Sequence, residues 1–274
     1  MQTVGRPMGL TQEQRDFFDK NGYVRLPQVF TAAELAELSS ELDEVIERFA
    51  VADKGWTGPW RQKYLSKKED ENAKLTAMHE MELYSPAWAR AVVNRALASA
   101  LAELIGPDVE FHHMTLHAKG PEFGTPFPLH QDHPFYPHSD GRYLDAIVHV
   151  DAATEENGCL KFLPSSHKLG PLEHVREGSP HLPPDRYPFE QAVSCPAEAG
   201  DVVLFSIYTI HGSALNRTPN WRRVVRIGYR NPGNLQVGGQ AMGRPGLMVA
   251  GLRPKLEGVT VDPYGPMRVE TGRV

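Results

Sequence analysis

Cysteine is scarce, long apolar runs are missing and positive charge is not in excess in this chain of 274 residues. The two cysteines, Cys159 and Cys195, are too few for a disulfide framework, and reduced thiols in a cytoplasmic protein are the simpler expectation. No apolar run reaches the roughly 18 residues of a membrane span, so no membrane partner is expected. The opening Met1–Gly9 has no apolar core, so no secretory signal is expected either. A net charge of −5 supplies no basic field for nucleic acid. No internal repeat is evident, which excludes solenoids and propellers. Abundant instead are 24 glycines and 23 prolines, the composition of a turn-rich, mainly β protein with loop-built sites.

The elements fall into two blocks. Thr11-Gln12-Glu13-Gln14 reads as a capping box opening a helix that Asn21-Gly22 closes. Tyr23-Val24-Arg25-Leu26 follows as a short strand, and Thr31-Ala32-Ala33-Glu34 opens a second helix. That helix carries Leu35, Leu38, Leu42, Val45, Ile46 and Phe49 on one stripe, a core-packing pattern. From Val51 to Lys74 glycines, Pro59 and a mixed charge run break the periodicity and predict a solvated loop, of the kind that can cover a site. Ser85-Pro86 starts a further helical stretch that Gly106-Pro107 ends. Beyond Gly106 the period becomes alternating. Strands are expected at Val109–Ala118, Leu144–Val150, Leu160–Leu163, Val202–Ile207, Thr209–Ser213 and Arg222–Arg230. In the first of these, Phe111, His113, Thr115 and His117 share a face. The expectation is one domain spanning 1–274, with a helical part over about 10–106, a β core over about 107–232 and a Gly/Pro-rich tail that wraps it or forms loops.

The chemistry centres on Leu129-His130-Gln131-Asp132-His133 and on Ile210-His211-Gly212-Ser213 much later in the chain. On an extended segment residues i and i+2 share a face, so His130 and Asp132 can reach one metal ion. A returning His211 completes two imidazoles and one carboxylate, the facial set of non-haem Fe(II) oxygenases, which leaves coordination positions open. His211 alone reads equally as a hydrogen-bonded rim histidine. Alternation after His211 puts Arg222, Val224, Arg226, Gly228 and Arg230 on one face. A buried Arg needs an anion, either a bound carboxylate or a protein acid.

Several pieces recur here in a fixed order. They are Leu129-His130-Gln131-Asp132, then Glu156-Asn157-Gly158-Cys159-Leu160-Lys161-Phe162-Leu163-Pro164-Ser165-Ser166-His167, then Gly200-Asp201-Val202-Val203-Leu204-Phe205, then His211-Gly212-Ser213 to Arg222. With Asn21-Gly22-Tyr23-Val24 and Phe30-Thr31 near the start, they resemble the phytanoyl-CoA dioxygenase family of Fe(II)/2-oxoglutarate-dependent oxygenases from about Thr11 to about Arg230. The resemblance implies a double-stranded β-helix (jelly-roll) core with one iron site, using 2-oxoglutarate and O2 and releasing succinate and CO2. By it His130, Asp132 and His211 match the metal ligands, Arg222 the anchor of the distal carboxylate of 2-oxoglutarate, and Ser213 its assisting hydroxyl. Gln131 falls in the co-substrate segment and Thr115 where the pocket is lined. His149 stands where many relatives carry Trp, as a co-substrate contact or a core histidine. Pro164-Ser165-Ser166-His167 departs from the usual Pro-Gly-Ser-His by one turn-compatible residue, and His167 reads as structural.

Asp132 argues against halogenation, because related halogenases replace the carboxylate with a small residue. The expected activity is hydroxylation or a related oxidation of a small molecule, by a monomer or homodimer. His133, Phe135, Tyr136, His138, Arg226, Lys161, Trp56 and Trp60 are candidates for the substrate surroundings. No dense Lys/Arg cluster offers itself to a CoA phosphate. Two other readings remain. Asp132-His133 resembles part of a metallo-β-lactamase-like hydrolase motif, but Pro128 and His130 stand where His-x-His would. A non-catalytic jelly-roll that binds a small molecule is the other.

Overall fold

The computed structural model describes residues 9–243 and 246–254. The opening segment read for a signal, and the end of the Gly/Pro-rich tail, lie outside the described residues. Both predicted capping boxes form. Helix α1 (Gln12–Asn21) starts at Thr11 and ends on Gly22, whose left-handed φ of 82° suits glycine. Strand β1 (Tyr23–Leu26) leads to α2 (Ala32–Arg48), capped by Thr31 and Glu34. Leu38, Leu42 and Val45 of its stripe are buried, whereas Phe49, past the last turn, is 50% exposed.

The stretch from Val51 to Lys74 is not the structureless loop expected. It contains β2 (Val51–Asp53), α3 (Arg61–Tyr64) and α4 (Lys67–Asn72). Ser66 and Glu69 make a third capping box inside the charge run, and Trp60, Arg61 and Leu65 are buried. Strand β3 (Leu75–His79) follows, then α5 (Pro86–Ala91) and α6 (Arg95–Ile105), each started by its own N-cap, Ser85 and Asn94.

The remaining strands are β4 (Val109–Lys119), β5 (Phe127–His130), β6 (Tyr143–His149), β7 (Leu160–Phe162), β8 (Val193–Cys195), β9 (Val202–Ser206), β10 (His211–Ser213), β11 (Arg222–Arg230) and β12 (Met248–Ala250). Strands β2, β3, β5, β8 and β12 were not among those expected; all five have five residues or fewer, and β5 contains Pro128. Among the described residues two antiparallel sheets form. The larger runs β1-β9-β6-β11-β4-β3-β2 with β12 also on β4, and the smaller runs β5-β10-β7-β8. Face to face they make the jelly-roll.

Parity sorts the larger sheet into two environments. Leu144, Ala146, Val148, Val202, Leu204, Val225, Ile227 and Tyr229 join the helices in the main core. Ile147, Val203, Phe205 and Val224 turn the other way, onto Leu160 and Phe162 of the smaller sheet. A β-bulge between Gly228 and Tyr229 pairs Gly228 with His113 and Tyr229 with Phe111, skipping His112. Phe111 therefore packs in the helix-side core, not on the face of His113 as simple alternation predicted. Among the described residues no helix is long and apolar enough to cross a membrane. Cys159 and Cys195 are both free and buried.

Candidate active site

The smaller sheet brings the two distant motifs together. β10 pairs with β5 so that His211 lies opposite His130, and their rings stand 4.2 Å apart. Asp132 does not lie on the strand; β5 stops at His130 and Asp132 belongs to the turn that follows. Even so, one potential ligand atom from each of His130, Asp132 and His211 lies within 4.8 Å of the others, and all three residues are buried. Asp132 Oδ1 is 3.4 Å from His130 Nε2 and 3.8 Å from His211 Nε2.

Each imidazole is set by its own chain. His130 Nδ1 donates to Pro128 O (2.7 Å) and His211 Nδ1 to Thr209 O (3.0 Å), which leaves both Nε2 lone pairs facing Asp132. Burial, then His130, pushes His211 down to about 4, so the ring is neutral at physiological pH. Burial opposes ionisation of Asp132, but His211, His130 and Arg226 outweigh it and hold the carboxyl well below its usual range. Asp132 Oδ2 is buried with no hydrogen-bond partner among the described residues. Two imidazoles and an anionic oxygen, one carboxylate lone pair unspent, form a donor set suited to a divalent first-row metal.

Beside this cluster is a cavity of about 50 Å³ lined by Trp56, His117, Phe127, Arg222 and Ser213, among others. Arg222 is 2% exposed. Its Nη2 donates to Gly158 O (2.8 Å) and its Nε has no partner. Burial lowers it to about 10, leaving it cationic. Sequence reasoning missed its neighbour, Lys119. This lysine is fully buried and donates to Ser213 Oγ (2.8 Å) and to the Ala214 carbonyl. Burial, followed by the Arg222 charge, pushes its ammonium well below the ordinary value. Among the described residues neither Arg222 nor Lys119 has an ion pair with an acid, and an anionic carboxylate would satisfy both. The available signal was parity: Lys119 shares the face of His117, but a lysine before Gly120-Pro121 reads as an exposed strand end.

Other expected site residues fall elsewhere. The Gln131 side chain is fully engaged, donating to Gly170 O and Tyr208 O and accepting from Leu172 N. It pins the loops behind the site and offers nothing to a co-substrate, contrary to expectation. Thr115 is also corrected: it does not line the cavity, because the Arg226 guanidinium opposite fills that space and donates to Thr115 Oγ1 (3.0 Å). His149 is fully buried beside the cavity wall, lowered to about 4 by burial and then by Arg222, and neither ring nitrogen has a hydrogen-bond partner. His167 packs against Gly22 and Phe18, away from the cluster.

Arg226, considered for an anionic substrate group, is already held by the protein. It donates to Asp145 Oδ1 (2.7 Å), the Tyr136 hydroxyl (3.0 Å) and His113 Nε2 (2.6 Å). From His113 the chain of contacts runs to His112, and from there to Tyr143 and Gln236. Tyr136 and His138 are therefore network residues and not the mouth of the cavity. Asp145 is held well above its ordinary value by burial, then by Asp132, with Arg226 opposing.

The comparisons with known proteins agree with this geometry. The family model for phytanoyl-CoA dioxygenase (PhyH) matches residues 18–224. A probable alpha-ketoglutarate-dependent hypophosphite dioxygenase of Stutzerimonas stutzeri is 29% identical over 229 residues, covering 80% of this chain and 77% of that protein. A methylphosphonate hydroxylase of Gimesia maris is 28% identical, covering 80% of each. The crystal structure of EctD from S. alaskensis with 2-oxoglutarate and 5-hydroxyectoine superposes with a TM-score of 0.65 at 23% identity, covering 93% of this chain and 88% of that one. This likeness shows the fold.

Proposed function

From a chain that belongs to the phytanoyl-CoA dioxygenase family, we propose an Fe(II)/2-oxoglutarate-dependent dioxygenase that hydroxylates, or otherwise oxidises, a small organic molecule with release of succinate and CO2. His130, Asp132 and His211 hold the iron. Arg222 and Lys119 take the distal carboxylate of 2-oxoglutarate, and Ser213, whose Oγ accepts from Lys119, completes that end of the cavity. Bound iron with its co-substrate supplies the activation of O2. The protein supplies ligand geometry, imidazoles oriented by Pro128 and Thr209, and a cradle that fixes the co-substrate.

The observation that carries this reading is the buried His130–Asp132–His211 cluster beside a buried guanidinium and a buried lysine amine, neither paired with an acid among the described residues. A hydrolytic metal centre or a non-catalytic roll would leave Arg222 and Lys119 without a purpose. The helical layer, β core and C-terminal segment work as one unit in the cytoplasm, as a monomer or homodimer. Two buried free thiols suit that compartment.

The test is anaerobic. Fe(II) and 2-oxoglutarate added together are expected to give a weak visible charge-transfer band, and admitting air to give succinate. No band and no iron uptake would sink the proposal. A second expectation concerns Lys119. Lys119→Met loses one charge-assisted hydrogen bond of about 1.5–3 kcal/mol, which is roughly a 10- to 150-fold rise in KM for 2-oxoglutarate. The melting temperature is expected to hold or rise, because an unpaired buried ammonium is itself costly. An unchanged KM would return the whole anchoring role to Arg222.

A further inference from the structure

The geometry points to Trp56 as the wall of the prime-substrate site, one that restricts the substrate to a compact polar molecule; this deepens, and rests on, the dioxygenase reading above. The Trp56 ring stands 4.4 Å from that of His130, tilted by 54°, and meets Phe127 edge-on at 5.1 Å and Phe135 at 5.1 Å. It therefore covers a metal-ligand candidate in the lining of the cavity.

The wall is fixed in place. The buried Arg61 donates to Trp56 O (2.8 Å) and to Thr125 Oγ1 (3.0 Å), and pairs with Asp70. The next residue, Thr57, exchanges two hydrogen bonds with Ser179: Thr57 N donates to Ser179 Oγ (3.1 Å) and Ser179 N to Thr57 O (2.8 Å). Trp56 is thus built into a cross-braced segment and tied to a second loop.

The space behind the wall is small. The cavity of about 50 Å³ lies well below the roughly 300–1,000 Å³ range of ligand pockets, and 2-oxoglutarate has to share it. Its polar lining is mostly committed. His130, Asp132 and His211 face the metal, Arg222 and Ser213 face the co-substrate, and Arg226 is held by Asp145, Tyr136, His113 and Thr115. His117 remains. Its ring rests 5.3 Å from that of Phe127, the same ring Trp56 touches, and no hydrogen bond to it is present among the described residues. Burial and then Arg226 keep this imidazole neutral, able to donate at one nitrogen and accept at the other. A compact molecule with one polar group matches such a site. A long acyl thioester or a polycyclic ring system does not.

The test first uses full-length protein with Fe(II), 2-oxoglutarate and air but no other substrate. The Trp56 peptide is expected to gain the mass of one oxygen atom, with 2-oxoglutarate and O2 consumed and succinate and CO2 formed. Oxidation confined to other peptides, while succinate still forms, overturns the placement of Trp56. No succinate and no charge-transfer band would instead indict the dioxygenase reading. Methylphosphonate, butylphosphonate and phenylphosphonate then probe size, by suppression of the mark in the parent and by stimulated succinate release in the parent and in Trp56→Ala. The expected result is that only the smallest acts on the parent and that the variant admits the larger two. A size limit the variant leaves unchanged, or a panel with no active member in either protein, overturns the inference. Trp56→Phe, which keeps a flat wall, is expected to keep the parent's limit, separating lost bulk from a folding defect.

Discussion

Asp132→Ala is expected to end iron-dependent succinate formation and to lower the stability of the metal-free protein modestly at neutral pH. Losing a partner to a metal ligand already costs about 10- to 100-fold in affinity or activity, and losing the sole anionic ligand should cost more. The stability half follows from the surroundings. Without metal, Asp132 is a carboxylate 6% exposed, with Oδ2 unpartnered and Asp145 close enough to be pushed up by it. Removing it relieves both costs but gives up the larger attraction of His211, His130 and Arg226 that holds the carboxyl low, so a modest loss of stability at neutral pH is expected. Iron binding by equilibrium dialysis and melting of the metal-free protein check the two halves. A variant that binds iron like the parent would remove Asp132 from the ligand set; one that melts well below it would make the carboxylate structural.

The largest loss of stability is expected from Arg226→Met. The guanidinium serves Asp145, Tyr136, His113 and Thr115 inside the roll, and Asp145 is fully buried. Taking away one partner of a buried pair costs about 3–5 kcal/mol, or roughly 6–20 °C in melting temperature for a chain of this size. The loss depends on pH in a definite direction. Burial already raises the Asp145 carboxyl, and without Arg226 nothing in the pair opposes the rise. A carboxyl raised in the folded state binds a proton that the unfolded chain releases near its ordinary value, about 3.9. Stability of the variant should therefore fall as pH climbs above that value, until the folded-state carboxyl ionises. Thermal melts of parent and variant between mildly acidic and neutral pH test this. A deficit that shrinks as pH rises would show that Asp145 is not the group left uncompensated.

Much of the site was legible because it depends on rules local to a strand or a cap. Alternation along Arg222–Arg230 sent Arg222 and Arg226 inward together, and both line the cavity. The caps at Thr11, Thr31 and Ser85 mark where three helices begin. What could not be read depends on contacts between distant segments. Nothing local to Gln131 shows that its amide will meet Gly170 and Tyr208. Nothing local to Lys119 shows that β10 will cover it. Asp145 sits in Tyr143-Leu144-Asp145-Ala146-Ile147-Val148, where a lone acid in an apolar strand announces burial but not its partner, which lies on β11. The bulge at His112 reverses parity, so Phe111 was assigned to the wrong side. The Ser66–Glu69 box was present in the sequence and hidden by the charged residues around it.

The two-sided strands of the larger sheet limit how such a protein can change over evolutionary time. A slip of β11 by one residue would exchange Val225 and Ile227 for Arg222 and Arg226, driving guanidinium groups into the helical layer and emptying the reaction chamber of them. Length variation is therefore tolerable only in the connections between strands. Among these are the segment that carries Trp56 and the loop containing Ser179 that braces it, so descendants of this fold can adopt new substrates by remodelling connections while the charged chamber stays as it is.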